Sequence, residues 1–141
     1  MAEPVEIIIR GEQAGDQPQI RAVLKTSPEA ATWADTYPIL IAEVEGGLVG
    51  FALYRVIAGE GELLNLVVHP DIRRCGVGRR LLLGIAPLAD IWHLEVRESN
   101  HAAIALYASL GMSQSGRRDR YYVDGEAALL FSGHLHRIFY P

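Results

Sequence analysis

Hydrophobic and polar positions in the first half of the chain form short blocks bounded by turns, which is typical of antiparallel strands. The β-branched segment Val5–Arg10 predicts a first strand. Two apolar runs, Ile39–Val44 and Leu48–Ile57, are separated by Glu45-Gly46-Gly47, which indicates a β-hairpin. A second glycine-containing turn leads into Glu62–Val68. We therefore expect three consecutive antiparallel strands after the first one.

Helices are predicted where a capping residue precedes proline or where leucine and alanine dominate. Asp16 followed by Pro18 starts one helix, and Ser27-Pro28-Glu29 starts a second short one. After residue 69 the chain alternates between helices and strands. The elements expected there are a helix beginning near Gly78 and ended by Pro87, a strand over Ile91–Arg97, a helix over Asn100–Leu110 capped by Ser99 and stopped by Gly111, and strands over about Met112–Arg118 and Ala127–Gly133.

These elements add up to an α+β (mixed α/β) fold with a sheet of about seven strands and four helices. The chain has 141 residues, of which 50% are hydrophobic and 21% charged, so it is long and apolar enough for one domain over residues 1–141 and is not disordered. A net charge of −4 argues against direct nucleic-acid binding. The start of the chain lacks the features of a signal peptide and no apolar run is long enough to span a membrane, so we expect a cytoplasmic protein.

Arginines and glycines are concentrated between the fourth strand and the following helix, in Arg73-Arg74-Cys75-Gly76-Val77-Gly78-Arg79. Glycine permits positive φ and close approach of the backbone to a ligand, and the first N–H groups of a helix attract anions. The segment therefore predicts a phosphate site in a protein that is acidic overall. The alternative is a glycine-rich turn with solvated arginines.

Two common phosphate loops fit this segment poorly. A Walker loop needs lysine and serine or threonine after its last glycine, and neither is present here. A dinucleotide fingerprint needs a third glycine where Leu81 stands, although Glu95 lies at the distance of a ribose-binding acid. The run of antiparallel strands before the motif leaves too little chain for a doubly wound sheet, which argues against a nicotinamide domain.

Several motifs together resemble the GNAT superfamily of N-acetyltransferases, and within it the bacterial ribosomal-protein-alanine N-acetyltransferase group. Arg73–Gly78 matches the family's acetyl-CoA pyrophosphate motif. Leu94-Glu95-Val96-Arg97, the helix Ser99–Gly111 and Arg117–Ala127 are also similar to that group. The resemblance implies a splayed parallel strand pair at the acetyl-CoA site, a cofactor-binding core over about 62–111, acceptor-side strands over 112–133 and a short tail over 134–141.

The resemblance also implies roles for individual residues. Glu95, expected as a buried carboxylate beside the crevice, would be the general base, and Tyr107 would be the general acid that protonates the coenzyme A sulfur. The backbone of Leu66, Val67 and Val68 would pair with the pantetheine arm. The other donors to coenzyme A would be Asn100 and the seven residues from Arg73 to Arg79. The alternatives are a structural ion pair for Glu95, a core tyrosine for Tyr107 and simple capping for Asn100.

Tyr121 and Tyr122 match tyrosines that relatives place in the loop between the last two strands, where they contact the acceptor peptide; they are otherwise ordinary strand aromatics. Cys75 is the sole cysteine and is interpreted as incidental, and the histidines lack ligand spacing, so no metal site is expected.

Two departures from the family pattern concern the acceptor and the nucleotide. The segment from Arg79 to Ile91 is short, and Ser27–Pro38 lacks the aromatic-proline element of peptide-acetylating relatives. The resemblance implies acetyl transfer to a protein N-terminal α-amine, and the second departure keeps a small-molecule amine open as an alternative acceptor. A non-catalytic acyl-CoA-binding module is the rival class, and the presence of both Glu95 and Tyr107 argues against it.

Overall fold

Seven strands form one mixed sheet in the computed structural model, which describes residues 5–27 and 37–135. Their order across the sheet is β1-β2-β3-β4-β5-β7-β6. The strands are β1 (Ile8–Gly11), β2 (Ile39–Val44), β3 (Gly47–Ile57), β4 (Glu60–Val68), β5 (Ile91–Arg97), β6 (Ser113–Arg118) and β7 (Ala128–Gly133). Only β4 and β5 are parallel neighbours; the other adjacent strands are antiparallel. The predicted seven-stranded mixed sheet is thus confirmed.

Three α-helices lie in the described residues: α1 (Gln17–Leu24), α2 (Val77–Ile85) and α3 (His101–Ser109). Short 3-10 turns over Pro70–Ile72 and Ala86–Leu88 flank α2. The predicted fourth helix starts at Ser27 and otherwise lies outside the described residues. No helix in the described part of the chain is long and apolar enough to cross a bilayer.

The core is divided between the two faces of the sheet. Neighbouring residues of a strand point to opposite faces, and Phe51 and Ala52 of β3 accordingly belong to different buried clusters. Ile20 and Val23 of α1 pack with the cluster of Phe51. The cluster of Ala52 contains the buried face of α2, together with buried residues of β5 and α3. Burying one large apolar side chain fully contributes about 1.5–3 kcal/mol to the free energy of folding relative to leaving it exposed.

Two predicted details are wrong. The cap of α3 is Asn100 and not Ser99, because the Asn100 side-chain oxygen accepts a hydrogen bond from the Ala103 N–H at 3.2 Å. The first strand begins three residues later than predicted and runs one residue further, because its ladder with β2 pairs Ile8 with Glu43 and Gly11 with Leu40.

Candidate functional site

The parallel strands β4 and β5 stay together for only three residue pairs. Pairing joins Glu60–Glu62 to Ile91–His93 and then stops, although β4 continues to Val68 and β5 to Arg97. The junction is closely packed, because a Cβ at Gly61 would lie 2.5 Å from the Trp92 ring. Beyond this junction the two strands diverge, which leaves a crevice in the middle of the sheet and backbone groups on its edges that require partners.

A cavity of about 440 Å³ occupies this crevice. Its walls come from β4, β5, α3 and the loop between β6 and β7. The lining residues are Ser27, Leu63, Leu64, Asn65, Leu66, Leu94, Glu95, Val96, Arg97, Asn100, Tyr107, Tyr122 and Val123. Apolar walls with a few polar groups are typical of a small-molecule site.

Glu95 contributes the carboxylate of this crevice. Its side chain is exposed, so the expectation of a buried carboxylate is wrong. The reason is the face on which it lies: its neighbours Leu94 and Val96 point into the cluster with α2 and α3, whereas the buried cluster of α1 contains no residue of β5. Glu95 makes no salt bridge with an arginine of the described segments, so the structural ion pair is not found. A hydrogen bond to Glu95 raises the pKa of the Tyr121 hydroxyl above its ordinary value.

Tyr107 contributes a buried phenol to the same cavity. The side chain belongs to α3 and is 5% exposed. Burial raises the pKa of its hydroxyl well above the ordinary value of 10.0, with a smaller contribution from Tyr122. The Tyr107 hydroxyl therefore stays protonated throughout the neutral pH range. The packing of α3 in the buried cluster holds it at the crevice.

The predicted phosphate loop is a strained turn at the start of α2. Arg74 and Gly76 both have positive φ, of 66° and 86°, and Gly76 is the N-cap of the helix. The first hydrogen bond of the helix runs from Arg80 N to Gly76 O at 3.0 Å. The N–H groups of Val77, Gly78 and Arg79 therefore have no intrahelical acceptor, as expected of an anion cradle.

The four arginines around this loop differ in what their guanidinium groups contact. Arg73 donates to the Val68 carbonyl at 3.2 Å, Arg79 to Ser109 Oγ at 2.8 Å and Arg80 to the Ile7 carbonyl at 3.1 Å. Arg74 is exposed and makes no hydrogen bond to another described residue. Among these side chains, Arg74 is therefore the best placed to contact an incoming anion. Cys75 is an exposed free thiol beside it.

The predicted pantetheine strand borders the crevice at its unpaired edge. Leu66, Val67 and Val68 pair with β3 on one side, and no strand in the described residues pairs with them on the other. Leu66 lines the 440 Å³ cavity. Val67 and Val68 lie further along β4, outside the lining but leading toward the α2 loop. Asn100 lines the cavity as well as capping α3.

Tyr121 and Tyr122 lie in the loop between β6 and β7, which excludes the alternative of strand aromatics. Their rings meet edge to face with centroids 5.1 Å apart. Tyr122 lines the crevice, whereas Tyr121 is 46% exposed and bonds to Glu95. The loop therefore forms one side of the crevice opening, next to the Glu95 carboxylate.

Arg97 is the residue of this site that the sequence pattern does not single out. It contacts Asp124 and Glu126 in the β6–β7 loop and lies over the Tyr122 ring. Arg97 and the Asp124-Gly125-Glu126 turn both lie in motifs that resemble the family, and this is the one sequence feature that connects them. Their contact is not a local one, because 27 residues separate Arg97 from Asp124.

Other polar groups of the described chain do not form a competing centre. A second cavity of about 630 Å³ beside the same loop is lined by charged residues, but its Arg117 already pairs with Glu98 at 2.7 Å and with Asp119 at 2.6 Å. Within residues 5–27 and 37–135, no group of three or more His, Cys, Asp or Glu side chains is arranged to hold a metal ion.

Comparisons with known proteins relate the chain to acetyltransferases. Residues 11–112 match the model of the acetyltransferase (GNAT) family. The chain is 45% identical over 83 residues to the [ribosomal protein bS18]-alanine N-acetyltransferase of Escherichia coli strain K12, a match that covers 55% of each protein. It is 32% identical over 113 residues to an N-alpha-acetyltransferase of Sulfurisphaera tokodaii, covering 67% of this chain and 68% of that protein. The chain thus spans about half the length of the curated bS18-alanine relatives in these matches.

The fold comparison covers more of the chain. The crystal structure of the ribosomal-protein-S18-alanine N-acetyltransferase from Escherichia coli superposes with a TM-score of 0.79 at 28% identity, covering 95% of this chain and 97% of that chain. Naa20 from Chaetomium thermophilum, solved with a bisubstrate analogue, superposes with a TM-score of 0.80 at 22% identity, which supports the fold alone.

Proposed function

The chain belongs to the acetyltransferase (GNAT) family, and from this premise we propose that it transfers the acetyl group of acetyl-CoA to the α-amine of a protein N-terminus. The relatives support this choice of acceptor, since both a bS18-alanine and an N-alpha-acetyltransferase are similar to the chain. An N-terminal residue of a ribosomal protein is the acceptor that the first of these relatives favours.

One observation carries the proposal: an exposed carboxylate and a buried, protonated phenol line the same crevice. Glu95 and Tyr107 lie on different elements, β5 and α3, that meet at the point where the sheet opens. A module that only binds acyl-CoA needs neither group at this place. An acyl transferase needs both a proton acceptor and a proton donor.

The residues on the α2 side fit acetyl-CoA. The left-handed Gly76 directs the start of α2 so that its first N–H groups are available for a pyrophosphate, and the Arg74 guanidinium adds charge beside them. The unpaired edge of β4 at Leu66–Val68 offers backbone groups to a pantetheine arm. When bound there, acetyl-CoA supplies an activated acetyl thioester at the crevice.

Glu95 acts on the acceptor. An α-amino group has a pKa of about 7.7–8.0, so it is largely protonated at neutral pH and must lose a proton before it can attack. An exposed carboxylate at the crevice attracts the ammonium form and takes the proton directly or through one water. Tyr121, whose hydroxyl pKa this carboxylate raises, lies beside it on the acceptor side.

Tyr107 acts on the departing sulfur. Its raised pKa keeps the hydroxyl protonated, so that the proton is available when negative charge develops on the thiolate. The helix core fixes the ring, whose centroid is 6.4 Å from that of Phe131. The donor is therefore held in place before the reaction starts.

The experiment that tests this function is release of free thiol from acetyl-CoA with a panel of acceptors. We expect turnover with peptides that have a free N-terminus and none with the same peptides after N-terminal blocking. Turnover with small amines but not with peptides would show that the acceptor is a small-molecule amine and not a protein N-terminus. Binding of acetyl-CoA without turnover on any acceptor would identify a binding module.

Glu95→Gln provides the matched test of mechanism. It should lower turnover about 10²–10⁴-fold while the affinity for acetyl-CoA stays within about twofold, because only the base is removed. Glu6→Gln, at an exposed position before β1, is the control and should retain full activity. Full activity of Glu95→Gln at neutral pH would contradict the assignment of the base.

A further inference from the structure

Arg97 connects the strand of the proposed base to the loop of the proposed acceptor site. Residues two apart on a strand share a face, so Arg97 projects from β5 on the same side as Glu95. Its Nη1 donates to Asp124 Oδ2 at 2.9 Å and to Glu126 Oε1 at 3.0 Å. The contacts join β5 to a segment that lies between β6 and β7, residues 119–127.

The same side chain also contacts an aromatic ring of that loop. The Arg97 guanidinium carbon lies 4.0 Å from the centroid of the Tyr122 ring, within the range of a cation–π interaction. The ring of Tyr121 meets Tyr122 edge to face, and Tyr121 in turn bonds to Glu95. The Arg97 guanidinium therefore contacts Tyr122 directly and Tyr121 only through that ring, while the Arg118 guanidinium carbon lies 5.7 Å from the Tyr121 centroid.

The loop has its own hydrogen bonds, and they converge on the carboxylates that Arg97 binds. Glu126 Oε2 accepts the Ser99 N–H at 2.8 Å, and Asp124 Oδ1 accepts the Glu126 N–H at 3.0 Å. The Glu126 carbonyl accepts the N–H groups of Tyr121 and Tyr122, each at 3.1 Å. Hydrogen bonds from Ser99 and Arg97 lower the pKa of Glu126 below its ordinary value, so it is ionised at neutral pH.

Arginine is the side chain that this position requires. The Arg97 guanidinium donates to two carboxylates from one nitrogen, Nη1, and lies over an aromatic ring at the same time, whereas a lysine ammonium is a point charge without a stacking face. The Arg97 side chain is 21% exposed and that of Glu126 is 23%, so this contact is partly shielded from water, whereas the Asp124 side chain is 61% exposed.

We propose that Arg97 is a positioning residue that fixes the loop over residues 119–127 as the acceptor-facing wall of the crevice. The proposal rests on the proposed function, because it assigns the wall to the acceptor and not to acetyl-CoA. Its substitution should therefore change the use of the acceptor while the use of acetyl-CoA stays the same.

Arg97→Lys tests the proposal because it keeps the positive charge and removes the planar group that stacks on Tyr122. We expect KM for the acceptor peptide to rise roughly tenfold, which is less than the ~10²-fold that a 1 Å misplacement of reacting groups can cost. KM for acetyl-CoA should change by less than about twofold, because the α2 loop and β4 are untouched. Glu126→Gln should move the same parameter in the same direction.

Arg10→Lys is the matched control. Arg10 also contacts two carboxylates, Asp16 at 2.8 and 3.0 Å and Glu43 at 3.6 Å, and its side chain is 19% exposed. It belongs to β1, at the opposite edge of the sheet from β6. This variant should change neither the KM for the acceptor nor the KM for acetyl-CoA. It therefore distinguishes the general effect of weakening an ion pair from the specific effect of losing the Arg97 contacts.

Amide hydrogen exchange provides a readout that does not depend on any acceptor. In Arg97→Lys, the amides of Tyr121, Tyr122 and Gly125 should exchange faster than in the wild type, with β2 and β3 unchanged. Unchanged exchange in the loop would overturn the proposal, as would equal rises in both KM values. A wild type inactive on every amine would refute the proposed function, while faster loop exchange in Arg97→Lys would still support the contact that fixes the loop.

Discussion

At the scale of the residue, the environment of Tyr107 decides what the group can do. A phenol that is 5% exposed on a helix has an unfavourable ionised form, so burial raises its pKa and the hydroxyl keeps its proton through neutral and mildly alkaline pH. Glu95, which is exposed on a strand edge, is available to solvent and to an amine. The two groups therefore suit opposite directions of proton transfer.

Tyr107→Phe should lower kcat about 10²-fold in the thiol-release assay, because the proton donor is lost while the ring remains in the core. The free energy of unfolding should change by no more than about 1 kcal/mol, since no cavity is created. Tyr54→Phe is the control, because Tyr54 also packs against the core, with its ring 6.1 Å from that of Trp92. Equal activity of Tyr107→Phe and Tyr54→Phe would assign Tyr107 to the core alone.

Sequence reasoning identifies residue types more readily than their exposure. Glu95 and Tyr107 are found from motifs, but the exposure of Glu95 depends on which elements cover its face of β5, which no local pattern records. The cap of α3 shows the same limit: Ser99 and Asn100 are both good capping residues, and only the backbone path selects Asn100. Arg97 acts through partners distant in sequence.

At the scale of the element, the turn before α2 determines the geometry of the phosphate cradle. Gly76 has φ of 86° and ψ of 12°, a left-handed conformation that glycine adopts without steric cost. A Cβ added there would meet no atom within 4 Å, so its cost is conformational and not a clash. The direction of the N–H groups at the start of α2 depends on this residue.

Gly76→Ala should lower the stability by about 1–2 kcal/mol and weaken acetyl-CoA binding, because relief of the strained turn redirects the cradle. Gly46→Ala is a close control: Gly46 has φ of 81°, also has no atom within 4 Å of a built Cβ, and lies in the β2–β3 turn. Urea unfolding should show similar losses for both variants, and calorimetry should show weaker binding for Gly76→Ala alone. Unaltered binding by Gly76→Ala would exclude this turn as the phosphate cradle.

The bounds of the strands can be predicted well from the sequence, whereas the order of the strands in the sheet can be predicted only in part. β2 and β5 have the predicted bounds because β2 is a dense apolar run and β5 alternates apolar with polar residues, each between turn residues. The antiparallel order β2-β3-β4 follows from short glycine turns. The insertion of β7 between β5 and β6 does not, because it depends on long-range pairing of Leu94 with Phe131 and of Val96 with Leu129.

At the scale of the whole molecule, the sheet separates a structural end from a functional end. β1, β2 and α1 are joined by the Arg10 ion pairs with Asp16 and Glu43, whereas the crevice opens between β4 and β5. Because additivity holds for distant sites without shared partners, changes at the first end should affect stability without affecting the chemistry at the second.

The ionisation of Asp16, at the β1 end, makes the stability of the protein depend on pH. Its carboxylate is buried and binds Arg10, and the hydrogen bond with Arg10, followed by that from Gln13, lowers its pKa below the ordinary value of 3.8. A carboxyl group with a lowered folded-state pKa adds stability above its unfolded-state pKa and loses that contribution as the pH falls through the folded-state value. The wild type should therefore lose stability below about pH 4 in part through this group.

Asp16→Asn should reduce the free energy of unfolding at pH 6–7, and the difference from the wild type should shrink as the pH falls below about 4, where the carboxyl of the unfolded wild type becomes protonated first and that of the folded protein at lower pH. Urea unfolding between pH 3 and pH 7 measures this difference. Asp71→Asn is the control, because the side chain of Asp71 is 91% exposed, and its difference from the wild type should stay near zero. At a temperature where Asp16→Asn is folded, its kcat/KM at pH 7 should equal that of the wild type. A fall in kcat/KM there would show that the β1 end and the crevice are coupled, and that the sheet does not isolate the site from its far edge.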